Sequence, residues 1–242
     1  MRRHLSILMW LARSSLWKLL ALFLLTAGAE AVWFFLALQN TPDTSLETLA
    51  GGGALALPCA VSFLLLSALL GRVGCDLGAR QSYTLRRLAV TEKAVFTWQW
   101  IYNSGCFLLF WAFQLAVSFG LCAMYTAQAE PSLVSGQTVF LAFSRVALLH
   151  ALLPLEETFL WFRNAFFVLA LGAACAALPY RQRRRRLGWE IAAACTVALF
   201  GFPAGVGQWE GNGISLLLMV FLLLECCFCV YGREGELVNE GT

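Results

Sequence analysis

Apolar residues along this chain fall into six long blocks, parted by short polar segments of alternating character. The blocks cover residues 17–38, 54–71, 98–124, 155–179, 188–206 and 213–231. Past Lys18 at its edge, the first block holds one charge, Glu30. The stretches from Ala54 to Leu70 and from Ile214 to Leu224 hold none. A helix of about 20 apolar residues matches the hydrocarbon thickness of a bilayer. The pattern therefore predicts an all-α, polytopic membrane protein with six transmembrane helices in a single transmembrane domain, residues 1–242. The first block is too long for a signal peptide's apolar core, and Glu30 stands where cleavage would have to occur, so it reads as a retained span.

The polar segments set the expected orientation. Arg2, Arg3, Arg13 and Lys18 precede or open the first block. Arg72, Arg80, Arg86, Arg87 and Lys93 lie between the second and third, Arg181 and Arg183 to Arg186 between the fourth and fifth, and Arg233 after the sixth. The opposite loops, 39–53, 126–136 and 207–212, carry Asp43, Glu47, Glu130 and Glu210 and no Lys or Arg. Short basic loops stay in the cytoplasm. Both termini are therefore expected inside, as an even span count requires.

One stretch resists this scheme. Residues 137–153 are apolar enough to span but carry Arg145 and His150 and end at Pro154. A seventh span would place the five-arginine loop outside. The stretch reads instead as an outer-leaflet or re-entrant helix, tolerated where protein covers its backbone.

Composition narrows the chemistry. Hydrophobic residues make up 60% of the chain and charged ones 13%, against about 25% charged in a soluble domain. The net charge of +3 is accounted for by the cytoplasmic loops and calls for no nucleic-acid partner. The nine cysteines lie almost all in apolar blocks, where Cys acts as a small hydrophobe. Cys226-Cys227-x-Cys229 has no companion His or second Cys pair, so no metal is expected.

Two segments outside the spans carry structure of their own. Residues 1–16 place Leu5, Leu8, Met9, Ala12 and Leu16 at helical spacing, with Arg2, Arg3 and Arg13 elsewhere around the helix. That predicts an amphipathic interfacial helix. Residues 72–97 form the longest cytoplasmic connection, in which Leu85, Leu88 and Val90 with Arg86, Arg87, Glu92 and Lys93 read as a short charged helix.

The run Ser82-Tyr83-Thr84-Leu85-Arg86-Arg87-Leu88-Ala89-Val90-Thr91 resembles the cytoplasmic loop of permease subunits of type-two ATP-binding-cassette exporters. There a Thr-Leu-x-x-Leu-x-Val-Ser/Thr-like segment follows the second span and forms the coupling helix. The layout is similar too: an amphipathic N-terminal helix, six spans, both ends inside, and a polar break, Gly201-Phe202-Pro203 to Gln208-Trp209-Glu210-Gly211, before the last span. The resemblance implies coupling through Ser82, Tyr83, Thr84, Leu85, Arg86, Arg87, Leu88, Thr91, Glu92 and Lys93 to separate ATPase subunits, which bind the ATP and Mg. It also implies a second permease copy or a sister permease, contact with membrane lipids, and a bacterial plasma membrane. The chain has no Gly-x4-Gly-Lys-Ser/Thr loop to cradle phosphates, so as a transporter subunit it is not itself an enzyme.

Charges at membrane depth face a cavity or a partner, because burying them otherwise is costly. Glu30, between Ala27-Gly28-Ala29 and Ala31, is the first candidate for a substrate path or an intramembrane ion pair. Arg163 is its candidate partner, with Glu156 and Glu157 nearby. Glu156-Glu157 with Arg163 also raises an intramembrane protease of the prenyl-endopeptidase type. That family's motif is Glu-Glu-x3-Arg, however, whereas here Glu157 and Arg163 lie on different helix faces. His150 is also the sole histidine in the apolar region, too few for that chemistry. A non-transporting immunity or assembly protein is the other alternative. Phe107, Phe110, Trp111 and Phe113 make the third block bulky all round, which we read as lipid-facing packing rather than a cavity wall.

Overall fold

The structure, a computed structural model, describes residues 2–41, 44–73, 91–155, 157–183, 186–203 and 209–232. Every element among them is helical. In chain order they are α1 (Arg2–Asn40), α2 (Leu46–Leu49) running into a π-helical turn (Ala50–Ala54), α3 (Ala56–Arg72), α4 (Glu92–Gln128), α5 (Thr138–Arg145), α6 (Ala147–Leu152), α7 (Thr158–Arg183), α8 (Trp189–Gly201) and α9 (Trp209–Tyr231).

Four of these, α1, α4, α7 and α9, are long and apolar enough to cross a membrane, and the α2–α3 pair, bent by 42°, would make a fifth. Gly53, at φ 88°, makes the bend, since a left-handed backbone disfavours any residue with a Cβ. At 13 residues, α8 covers about 20 Å and falls short of a bilayer by itself. The stretch read as an interfacial helix is continuous with α1, with no break before the first apolar block.

The helix most enclosed by others is α7, packed against α3, α4, α8 and α9. Its middle explains why. Ala170 to Ala177 are small except Leu171, and small side chains let helices close up in the absence of a hydrophobic driving force between them. A Cβ on Gly172 would stand 2.2 Å from Ser104 Oγ and 2.8 Å from Ser104 N on α4. Asn103 Nδ2 donates to Gly172 O across the same contact. The buried apolar side chains form two clusters, only the first of which includes α7. One runs from Leu22 to Val230 and includes Phe96, Phe107 and Tyr180. The other gathers Phe34, Leu46, Tyr125, Phe143 and Leu149.

Residues 137–153 form two short helices, neither long enough to span, parted at Val146, whose ψ of 117° is extended. The carbonyls at their end would be orphans. Side chains of the long helices satisfy them: Asn164 Nδ2 donates to Ala151 O at 2.7 Å, Trp111 Nε1 to Leu152 O at 2.9 Å and Trp161 Nε1 to Pro154 O at 2.8 Å. On the far side, exposed Arg145 pairs with Glu47 at 3.2 Å.

Candidate functional site

Three helices turn one face each toward a common hollow. Ala56, Cys59, Ala60 and Phe63 on α3, Phe107, Phe110, Trp111 and Gln114 on α4, and Asn164, Phe167, Val168 and Leu171 on α7 all line it. Each set follows the i, i+3, i+4, i+7 spacing that keeps residues on one side of a helix. Leu148 and Leu152 of α6 and Ala198, Leu199 and Phe202 of the α8 end close it, around a cavity of about 200 Å³. The wall is apolar and aromatic save for Cys59 and the two carboxamides, Gln114 and Asn164.

Each carboxamide is backed by a buried ionisable residue. Gln114 Nε2 donates to Glu30 Oε1 at 2.7 Å, and both side chains are buried. Asn164 Oδ1 accepts from Arg163 Nε at 3.3 Å and Nη2 at 2.9 Å. The candidate pair Glu30–Arg163 is thus not what joins these two residues to the fold; each has a different hydrogen-bond partner.

Arg163 is wholly buried. Besides Asn164, its Nη1 donates to Gly201 O at 2.9 Å and Asn212 Oδ1 at 2.6 Å, and its Nη2 to Phe202 O at 2.9 Å. All five N–H groups of a guanidinium are used, without a hydrogen-bonded carboxylate. Glu157, just before α7, lies close enough to act on it electrostatically, and two further features help to offset its charge. The carbonyls belong to the last turn of α8, the negative end of its dipole. The rings of Phe167 and Phe202 lie 5.3 and 5.9 Å from Cζ, within cation–π range.

A second arginine, which the sequence pattern assigns to a loop, is also buried. Arg181, near the end of α7, forms ion pairs with Glu190 in the first turn of α8 and, at 2.9 Å, with Glu225 of α9. Glu190 is buried. Its position inside a predicted span was the signal that could have marked it. Asn164 and Asn212 carry a similar signal, since an asparagine in or beside a span is itself a request for a partner.

The other candidates divide. Thr91 caps α4, its Oγ1 accepting from Ala94 N at 3.4 Å; Glu92 and Lys93 form the first turn. Ser82, Tyr83, Thr84, Leu85, Arg86, Arg87, Leu88 and Glu156 lie outside the described residues. Glu157 stands just before α7, part-buried. Phe107, Phe110 and Trp111, read as lipid-facing, line the cavity instead, while Leu108 and Leu109 between them face outward. A bulky block has two sides, and composition alone does not tell them apart. Phe113 stacks on Phe23 of α1 with centroids 4.8 Å apart. Among the described residues no group of three or more His, Cys, Asp or Glu gathers as metal ligands. Comparison of the chain with protein-family models, curated proteins and solved structures finds no match.

Proposed function

We propose that the chain is the permease subunit of an ATP-driven exporter, with six spans, cytoplasmic termini and separate ATPase subunits. In this reading α8, 13 residues long, belongs to the fifth of the six spans. The observation that carries the proposal is the continuity of α4. One uninterrupted helix starts at the Thr91 cap, directly after the segment that resembles a coupling helix, and reaches Gln114 at the cavity wall. The 23 residues from Glu92 to Gln114 make a rod of about 34 Å. A tilt imposed near Glu92 and Lys93 would then be felt at Gln114 and, through its hydrogen bond, at Glu30. Such a rod transmits motion without needing a chain of loosely coupled side chains.

The test is a mild-detergent pull-down of the tagged chain with mass spectrometry of its companions. Recovery of a stoichiometric ATPase bearing a phosphate-binding loop is the expected result, and Leu88→Asp or Arg87→Glu should abolish it while the chain still inserts. Recovery of the folded chain alone would sink the proposal in favour of a non-transporting membrane protein. With an ATPase in hand, Glu30→Ala should impair export more than Glu30→Gln, which keeps a partner for Gln114.

A further inference from the structure

Six aromatic rings, those of Phe63, Phe107, Phe110, Trp111, Phe167 and Phe202, border the cavity of about 200 Å³. An apolar cavity of about 150 Å³ stays dry and takes up a benzene-sized molecule. This one has room for such a ring with a small substituent. Aromatic walls favour an aromatic guest through offset and edge-to-face contacts.

Gln114 interrupts this wall with an unmet demand. Its Nε2 is committed to Glu30, while Oε1 is buried with no strong donor, the neighbouring Cys59 thiol being only a weak one. A buried amide oxygen left unpaired is costly until a donor reaches it. Asn164 makes no such demand, because its oxygen accepts from Arg163 and its nitrogen donates to Ala151 O.

We propose that this cavity is a binding site for small aromatic molecules carrying one hydrogen-bond donor, a phenol being the simplest, with the donor on Gln114 Oε1. As a statement about binding this is independent of any ATPase; as a statement about cargo it rests on the transport reading and gives the exported molecule an aromatic, donor-bearing portion.

A phenol with a trifluoromethyl diazirine para to its hydroxyl tests the site. The full chain in lipid nanodiscs is photolysed with it, and adducts are located by mass spectrometry. Saturable adducts are expected on Cys59, Phe107 and Trp111. At equal membrane concentration, phenol should compete about fivefold better than anisole, which keeps the ring and loses the donor. In Gln114→Leu that difference should vanish, and Ala60→Phe, which fills the cavity, should remove the adducts. Equal competition in the native chain overturns the donor assignment, whether or not Gln114→Leu folds. Unsaturable adducts scattered over exposed Leu24, Leu217 and Phe228 mean partition into lipid and overturn the site. Labelling needs no ATPase and co-purification needs no phenol, so each reading can fail without the other.

Discussion

Arg163 and Arg181 are the same residue type on the same helix, 18 residues and therefore five turns apart, so they project from one face about 27 Å from each other. Both grip α8 and α9, one at each end. Their acceptors differ. Arg181 meets two carboxylates, Glu190 buried and Glu225 with 35% of its side chain exposed. Arg163 hydrogen-bonds only to neutral oxygens, Glu157 acting on it from further off, and all its donors are used. The contrast follows from the direction of α8. Its N-terminal end is positive and accommodates Glu190, which then recruits Arg181; its C-terminal end is negative and serves a guanidinium directly. A short helix is thereby held by a charge suited to each end.

Between the two clamps lies Gly172, nine residues from either. Nine residues are two and a half turns, which puts it on the opposite face. There α7 meets α4 rather than α8 and α9. One helix thus uses polar grips on one side and backbone proximity on the other.

Five substitutions would break or sharpen this contrast, each read from thermal unfolding of the purified protein in detergent. Arg163→Leu should cost most, about 3 kcal/mol or more, because it leaves Asn212 Oδ1 and two carbonyls buried and unpaired. Arg163→Lys should recover less than half of that, since three donors on a point charge cannot reach acceptors arranged for a planar fork; wild-type stability in Arg163→Lys would refute the account. Gly172→Ala should cost about 2 kcal/mol, since its Cβ meets backbone that cannot swing aside. Its loss should add to that of the clamp variants, as the faces are opposite. Glu190→Gln should cost about 1 kcal/mol, keeping a hydrogen-bond acceptor while losing the charge. Glu225→Gln should cost least, under about 0.5 kcal/mol, because solvent already screens that pair. High salt should shrink the Glu225 effect and leave that of Arg163 unchanged.

The sequence marked Glu30 and Arg163 as buried polar residues in apolar helices, and both are buried. It did not reveal their partners. Gln114 lies 84 residues from Glu30, and Asn212 49 from Arg163. Arg181 reads as a loop arginine because it sits at the start of a basic run, yet α7 continues through it to Arg183. The segment 137–153 declared itself through Arg145, His150 and Pro154. The carbonyl acceptors that let it stop short of a span became visible only with Trp111, Trp161 and Asn164 around them.

The amino-acid sequence by itself determined that this protein is helical and carries apolar helices long enough to cross a membrane. Those properties depend on local length and composition, which hydropathy measures directly. The tertiary structure alone decided which face of each helix looks inward, that three such faces enclose a cavity, and that two arginines five turns apart hold the same short helix by different chemistry. Those outcomes depend on helix rotation and on neighbours distant in the chain. In uniformly apolar helices almost no side chain fixes that rotation; the few polar ones do, and only once their partners are in place.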